Sequence, residues 1–332
     1  MTISALERLP AELIQPIFLQ SGPNLALVDV SPYIAAKLAN NYLYKTICET
    51  YFTRDLNSRS EQSSAQTRIF ASKWMTWDYF KSFVMRTWSS MGCLCGKTPN
   101  EGCFDPQWPP NFEDATAMAF SRRHIPALSY IKCRIPVKLL HGPWNRSKAQ
   151  YLRFLLWTTS MTVDWASPET RRLALEGKKE AILDRNLEVV ELFNHNRRLG
   201  KAPNMDMVRF AVMEAGCDRS IVYDTMAMAR EWGLRGDSWK CNKLDTWCEA
   251  KLEQGDPKGK WLQLKLKELR TTYESRDWIR STMTGDQEVG CGYMHPKTGD
   301  YDDVDGDKLV ITPRRWNQVS TFRFRTTCTR DW

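Results

Sequence analysis

The chain has 332 residues, 42% hydrophobic and 26% charged, in the proportions of a globular protein long enough for one large domain or two modest ones. Its formal net charge of +8 is too diffuse to imply nucleic acid, and no apolar run approaches the roughly 18 residues of a membrane span. Met1 to Leu13 carry neither the basic start nor the apolar core of a secretory signal, and ten cysteines are spread thinly, so we expect a soluble cytoplasmic or nuclear protein with reduced thiols.

Leu9-Pro10-Ala11-Glu12-Leu13 opens a helix. Pro10 suits the first helical position, where its missing N–H costs nothing, and Glu12 lies in the favourable first turn. Leu9, Leu13, Ile14, Ile17 and Phe18 then form a broad apolar face. Pro16 falls inside this helix, where it removes the bond to the Glu12 carbonyl and costs about 3 kcal/mol or kinks the axis. Ser21-Gly22-Pro23-Asn24 ends the helix, Leu25 to Val30 forms a short apolar segment, and Ser31-Pro32 caps a third helix through Ile34, Ala35 and Leu38. Three helices this short bury little apolar surface alone, so a partner or an adjoining domain is expected to cover them.

This succession over roughly the first 45 residues resembles the F-box: Leu-Pro-x-Glu-Leu, an Ile17-Phe18-Leu19 helix end, a leucine-rich short helix, then Val30-Ser31 opening a third. The resemblance implies docking on the Skp adaptor, which joins a cullin–RING scaffold. Carried over by position, it implies contacts from Leu9, Pro10, Glu12, Leu13, Ile17, Leu25, Leu27, Val30 and Ser31. Pro32 and Tyr33 stand where a tryptophan often follows the Val-Ser pair. The implied role is a non-catalytic adaptor that holds an unidentified target for a ubiquitin ligase. The competing reading is a helical scaffold or nucleic-acid-associated protein whose N-terminal helices pack internally.

Residues 46–67 read as a linker, because Ser58, Arg59, Ser60, Glu61, Gln62, Ser63 and Ser64 offer little to bury. Helical periodicity then dominates 68–284. Ala119–Ile131, Ala181–Phe193 and, after a two-residue insertion, Ala211–Tyr223 form a weak internal repeat of helix, short polar turn and helix. The pattern resembles the helical half of ankyrin repeats, without their Thr-Pro-Leu-His signature and with unequal spacing; a degenerate ankyrin-like stack and a plain helical bundle both fit. Further helices are expected around Trp247–Leu252 and over Lys260–Ser275, the latter with Leu262, Leu266 and Leu269 inside and Lys265, Lys267 and Arg270 outside. Leu139–Trp144 and Gly216–Asp224 are also similar to stretches of fungal F-box-type proteins, a likeness that implies no catalytic residue.

Candidates for chemistry are sparse. Cys93, Cys95 and Cys103 lack a fourth zinc ligand unless His124 or His141 folds back, so neither metal nor other cofactor is expected. Cys241 and Cys248 share a helix side with Leu244, as buried packing would place them. None of His124, His141, His195 and His295 lies in a nucleophile motif, and no enzyme is expected. Asp300 to Asp307 fails as a calcium loop, since Tyr301 and Thr312 stand where acids are required. The stretch 285–332 reads as an acidic turn and short β-strands, in which Phe322 and Phe324 alternate with Arg323 and Arg325. Trp144, Trp232, Trp239 and Trp316 are candidate target contacts. The expected fold is mainly α, with a three-helix N-terminal F-box, a helical target-binding domain and a short C-terminal β element.

Overall fold

Side-chain caps decide where most helices of this chain begin. In the computed structural model, which describes residues 4–22, 24–53, 58–88, 128 and 130–271, Ser4, Ser31, Asn40, Ser58, Asn145, Asn186, Asn204 and Asp218 each accept from a first-turn amide. Each such bond satisfies a donor that has no partner within its helix. The result is a mainly α chain. Among the described residues the fourteen α-helices are α1 Ala5–Arg8, α2 Ala11–Gln20, α3 Ala26–Val30, α4 Pro32–Lys37, α5 Asn41–Phe52, α6 Arg59–Ala71, α7 Trp77–Trp88, α8 Arg146–Thr158, α9 Pro168–Leu183, α10 Leu187–His195, α11 Met205–Arg209, α12 Arg219–Glu231, α13 Asn242–Glu253 and α14 Pro257–Thr271. They fall into two compact units. The first comprises the described residues up to His141 with Asn145–Leu173, and the second Gly142–Trp144 with the described residues from Ala174 onward.

The first unit is organised around aromatic rings. Phe80 of α7 is fully buried, with its ring centroid 5.5 Å from Phe70 of α6 and 5.6 Å from Tyr151 of α8. Phe52, at the end of α5, lies 5.1 Å from Phe70. Edge-on and offset packing of this kind adds to the area term because ring edges and faces carry opposite partial charge.

The described part of the polar stretch read as a linker is mainly helical. Residues 46–52 continue α5, and 59–67 form most of α6. Its glutamines and hydroxyls bond main-chain groups of neighbouring segments. Gln62 and Gln66 both donate to the Tyr51 carbonyl, at 3.0 and 2.9 Å. Gln66 Oε1 accepts from the Lys132 amide, Thr67 Oγ1 from the Arg134 amide, and Ser63 donates to the Lys132 carbonyl. Segment 131–135 is thus held on one edge by α6 side chains. On its other side, a parallel bridge joins Arg134 to Thr162, with Ser160 and Thr162 amides donating to Ile131 and Cys133. Low hydropathy here reflects buried hydrogen bonding rather than exposure; Gln66 is only 1% exposed.

The second unit contains both described copies of the internal repeat. In the first, α9 ends at Leu183, Arg185 takes a left-handed φ of 52°, and Asn186 caps α10. In the second, a π-helical turn over Phe210–Glu214 leads to Cys217 at φ 56°, and Asp218 caps α12. The inserted residues are absorbed in that wider turn, where the Cys217 amide reaches the Ala211 carbonyl. The other copy, Ala119–Ile131, lies mostly outside the described residues, as do Cys93, Cys95, Cys103, His124, His295, Trp316 and the whole of 285–332.

Helices α13 and α14 form a close hairpin. A Cβ on Gly259 would meet the Cys248 carbonyl at 2.7 Å, so only glycine allows this approach. Leu244 and Cys248 are buried as expected, with Cys241 at the N-cap of α13. Leu262, Leu266 and Leu269 also face inward, but Lys265 does not face out. It is 3% exposed, its ammonium 5.9 Å from the Trp261 ring, and it lies in the field of Glu268, whose carboxyl burial pushes up to about 7. Nor is Arg270 a surface ornament; it reaches the Trp239 carbonyl and both oxygens of Asp245.

Replacing Gln66 with leucine conserves volume but leaves the Lys132 amide without its acceptor. We expect a loss of about 2 kcal/mol in denaturant unfolding, against under about 0.5 kcal/mol for Ser64→Ala on the exposed side of the same helix.

Candidate docking surface

Helix α2 carries apolar residues on two faces. Ile14 and Phe18, one turn apart, are 2% and 1% exposed, whereas Leu13 and Ile17, also one turn apart, are 53% and 48% exposed. Val30, at the end of α3, and Tyr33, in the first turn of α4, are 73% and 58% exposed. The outward set is contributed by three consecutive helices of one small module.

A polar frame fixes these helices. Glu7 closes a capping box with Ser4 at the start of α1, and its second oxygen accepts from the Ser31 hydroxyl. Those bonds hold the half-buried Glu7 carboxyl below its usual range, Ser31 first, then Ser4. Lys37, at the end of α4, donates to the main-chain carbonyls of Glu7 and Leu9, while Gln15 of α2 donates to the Lys37 carbonyl at 2.7 Å. The first two helices are thereby tied to the fourth.

The nine residues implied by the resemblance occupy distinct positions. Pro10, Glu12, Leu13, Ile17 and Val30 are exposed; Leu9, Leu25 and Leu27 are half-buried. Pro10 is the N-cap residue of α2, one position before the helix begins. Ser31 is the exception. It is 5% exposed and spends its hydroxyl on the Tyr33 amide and Glu7, so it positions α4 and is not available as a surface contact. Sequence reading missed Tyr33, which extends the outward apolar set, although its place directly after a Ser-Pro cap was a usable signal.

The second unit holds a separate polar cluster. His195 Nε2 lies 2.6 Å from Asp224 Oδ1, and Asn194 donates to Asp224 Oδ2 at 2.7 Å and to Thr225. Burial raises the Asp224 pKa, but His195, Asn194 and nearby Lys178 outweigh it and bring the carboxyl below its usual range. Lys178 is 4% exposed, and burial brings its pKa down to about 8. The cluster joins α9, α10 and α12, and its evident work is bracing.

The remaining candidates are mostly structural. Burial pushes the thiols of Cys217 and Cys248 up to about 12 and about 11. At Cys241 burial also raises the pKa, but the Leu244 and Lys243 amides and Arg209, at 3.7 Å, bring it below its usual value. Trp239 is fully buried and donates to the Leu234 carbonyl; Trp144 donates to Gly177 and meets Phe193 edge-on. Trp232 is half-buried, with the Arg197 guanidinium 4.3 Å from its ring. Among the described residues, no group of three or more His, Cys, Asp or Glu could hold a metal ion, and no helix is long and apolar enough to cross a membrane. No family model, curated protein or solved structure matches this chain.

Lys178 supplies a pH test. Its folded pKa of about 8 lies below the ordinary lysine value of 10.5, so between these values the unfolded chain binds more protons and this lysine's destabilising contribution fades as pH rises. Lys178→Met is therefore expected to raise stability by roughly 1–3 kcal/mol at pH 7. The gain over the parent protein should shrink from pH 8 to pH 10 in denaturant titrations.

Proposed function

We propose that this chain is a substrate-recognition adaptor of a Skp–cullin–F-box ubiquitin ligase. Helices α1–α4 dock on the Skp adaptor, and the remaining helices present a target protein to the cullin–RING scaffold. The observation that carries the reading is the outward pair Leu13 and Ile17, at the two Leu/Ile positions of the motif on α2, with Val30 exposed at the end of α3. Leaving large aliphatic side chains half exposed on one helix forgoes favourable burial that a partner's groove restores.

The role needs no chemistry from the chain. Holding a target beside the ligase converts an encounter between separate molecules into a local one, and the gain is an effective concentration of target lysines. The exposed Leu13 and Ile17 count against the alternative of an N-terminus packed wholly within a scaffold. The half-buried Trp232, with the exposed Arg197 over its ring, is a place where a target can touch the second unit.

Leu13→Asp is the decisive substitution, because Leu13 is exposed and its loss barely touches the core. The expected result is co-purification of the parent chain with the Skp adaptor, at least tenfold less recovery for the variant, and melting temperatures within a degree or two of each other. Failure of the parent chain to bind would remove the reading.

A further inference from the structure

On α2, the same side that exposes Leu13 and Ile17 also exposes Glu12 and Pro16. The helix runs unbroken through Pro16, with the Ser21 amide closing onto the Ile17 carbonyl at 2.9 Å. Proline has no N–H, so the Glu12 carbonyl has lost its regular helical donor. A main-chain acceptor without that donor therefore lies among Leu13, Pro16 and Ile17. Water can satisfy it in the free protein, but an apolar groove closing over these side chains would strand it unless the groove supplies a donor.

Charge indicates the kind of donor. Glu12 is the single charged residue of α2, and Asp29, also exposed, is the single charged residue of α3. Lys37, the single charged residue of α4, is occupied by the carbonyls of Glu7 and Leu9. The helices bearing the outward apolar residues thus offer carboxylates to a partner, and a cationic side chain complements them.

We infer that the Glu12 main-chain carbonyl, released by Pro16, is the polar key of this face. It accepts a hydrogen bond from a lysine or arginine of the docking partner, beside the Glu12 carboxylate, while Leu13, Pro16 and Ile17 enter an apolar groove. This rests on the adaptor reading above, with the Skp adaptor as the occupant. Pro16 then has an interface role that offsets its cost to the isolated helix: it weakens α2 on its own and gives the face an acceptor that an ordinary helix lacks.

The test uses the full chain and purified Skp adaptor, with affinity by calorimetry at two salt concentrations and melting temperature for each protein. Pro16→Ala and Pro16→Leu both restore the amide donor to the Glu12 carbonyl, and the leucine also keeps apolar bulk. Both are expected to melt higher than the parent yet bind about tenfold more weakly. Glu12→Gln is expected to weaken binding and flatten its salt dependence. Parent-like affinity for Pro16→Leu would overturn the inference while leaving the adaptor reading intact. Loss of binding by the parent chain itself would overturn both.

Discussion

Helix α2 has more apolar surface than its own module covers, and the account of this protein depends on that imbalance. A surface helix of a globular protein ordinarily carries one apolar stripe. Here Ile14 and Phe18 fill that role, and Leu13 and Ile17 repeat it a quarter-turn away, in the open. Burying such a side chain contributes about 1.5–3 kcal/mol, so a half-exposed pair forgoes an amount comparable to a good share of a small module's net stability. Helices as short as α1, α3 and α4 do not stand by themselves. The frame of Glu7, Ser31, Lys37 and Gln15 holds them in register while leaving the outer face uncovered.

The same economy of polar groups recurs in α6. Gln62, Gln66, Ser63 and Thr67 bond the ends and edges of neighbouring main chain. In both places hydrophilic residues fasten one segment of main chain to another. Each buried amide or carbonyl they satisfy would cost more unpaired than the bond itself contributes, so these residues specify position more than they add stability.

Much of the helical order was legible locally. Ser31-Pro32 announced α4, and Asn186 and Asp218 stand at the starts of the second helices of the repeat. What escaped notice depends on neighbours distant in sequence. The glutamines of α6 look like linker until Tyr51, Lys132 and Arg134 are brought beside them. Lys265 is a different case: it looks external beside the leucine stripe of α14, yet it is 3% exposed, with the Trp261 ring of the same helix 5.9 Å from its ammonium. In the N-terminal helices, the motif named Leu13, Ile17 and Val30, all of them exposed. It also named Ser31, because a cap and a contact residue share the same one-letter pattern, and it left out Tyr33.

The most direct measurement is amide hydrogen exchange of the full chain with and without the Skp adaptor. The account requires slower exchange on binding across Ala11–Gln20 and from Ala26 to Tyr33, with α13 and α14 unchanged. Unaltered exchange in those N-terminal helices at saturating adaptor would contradict it.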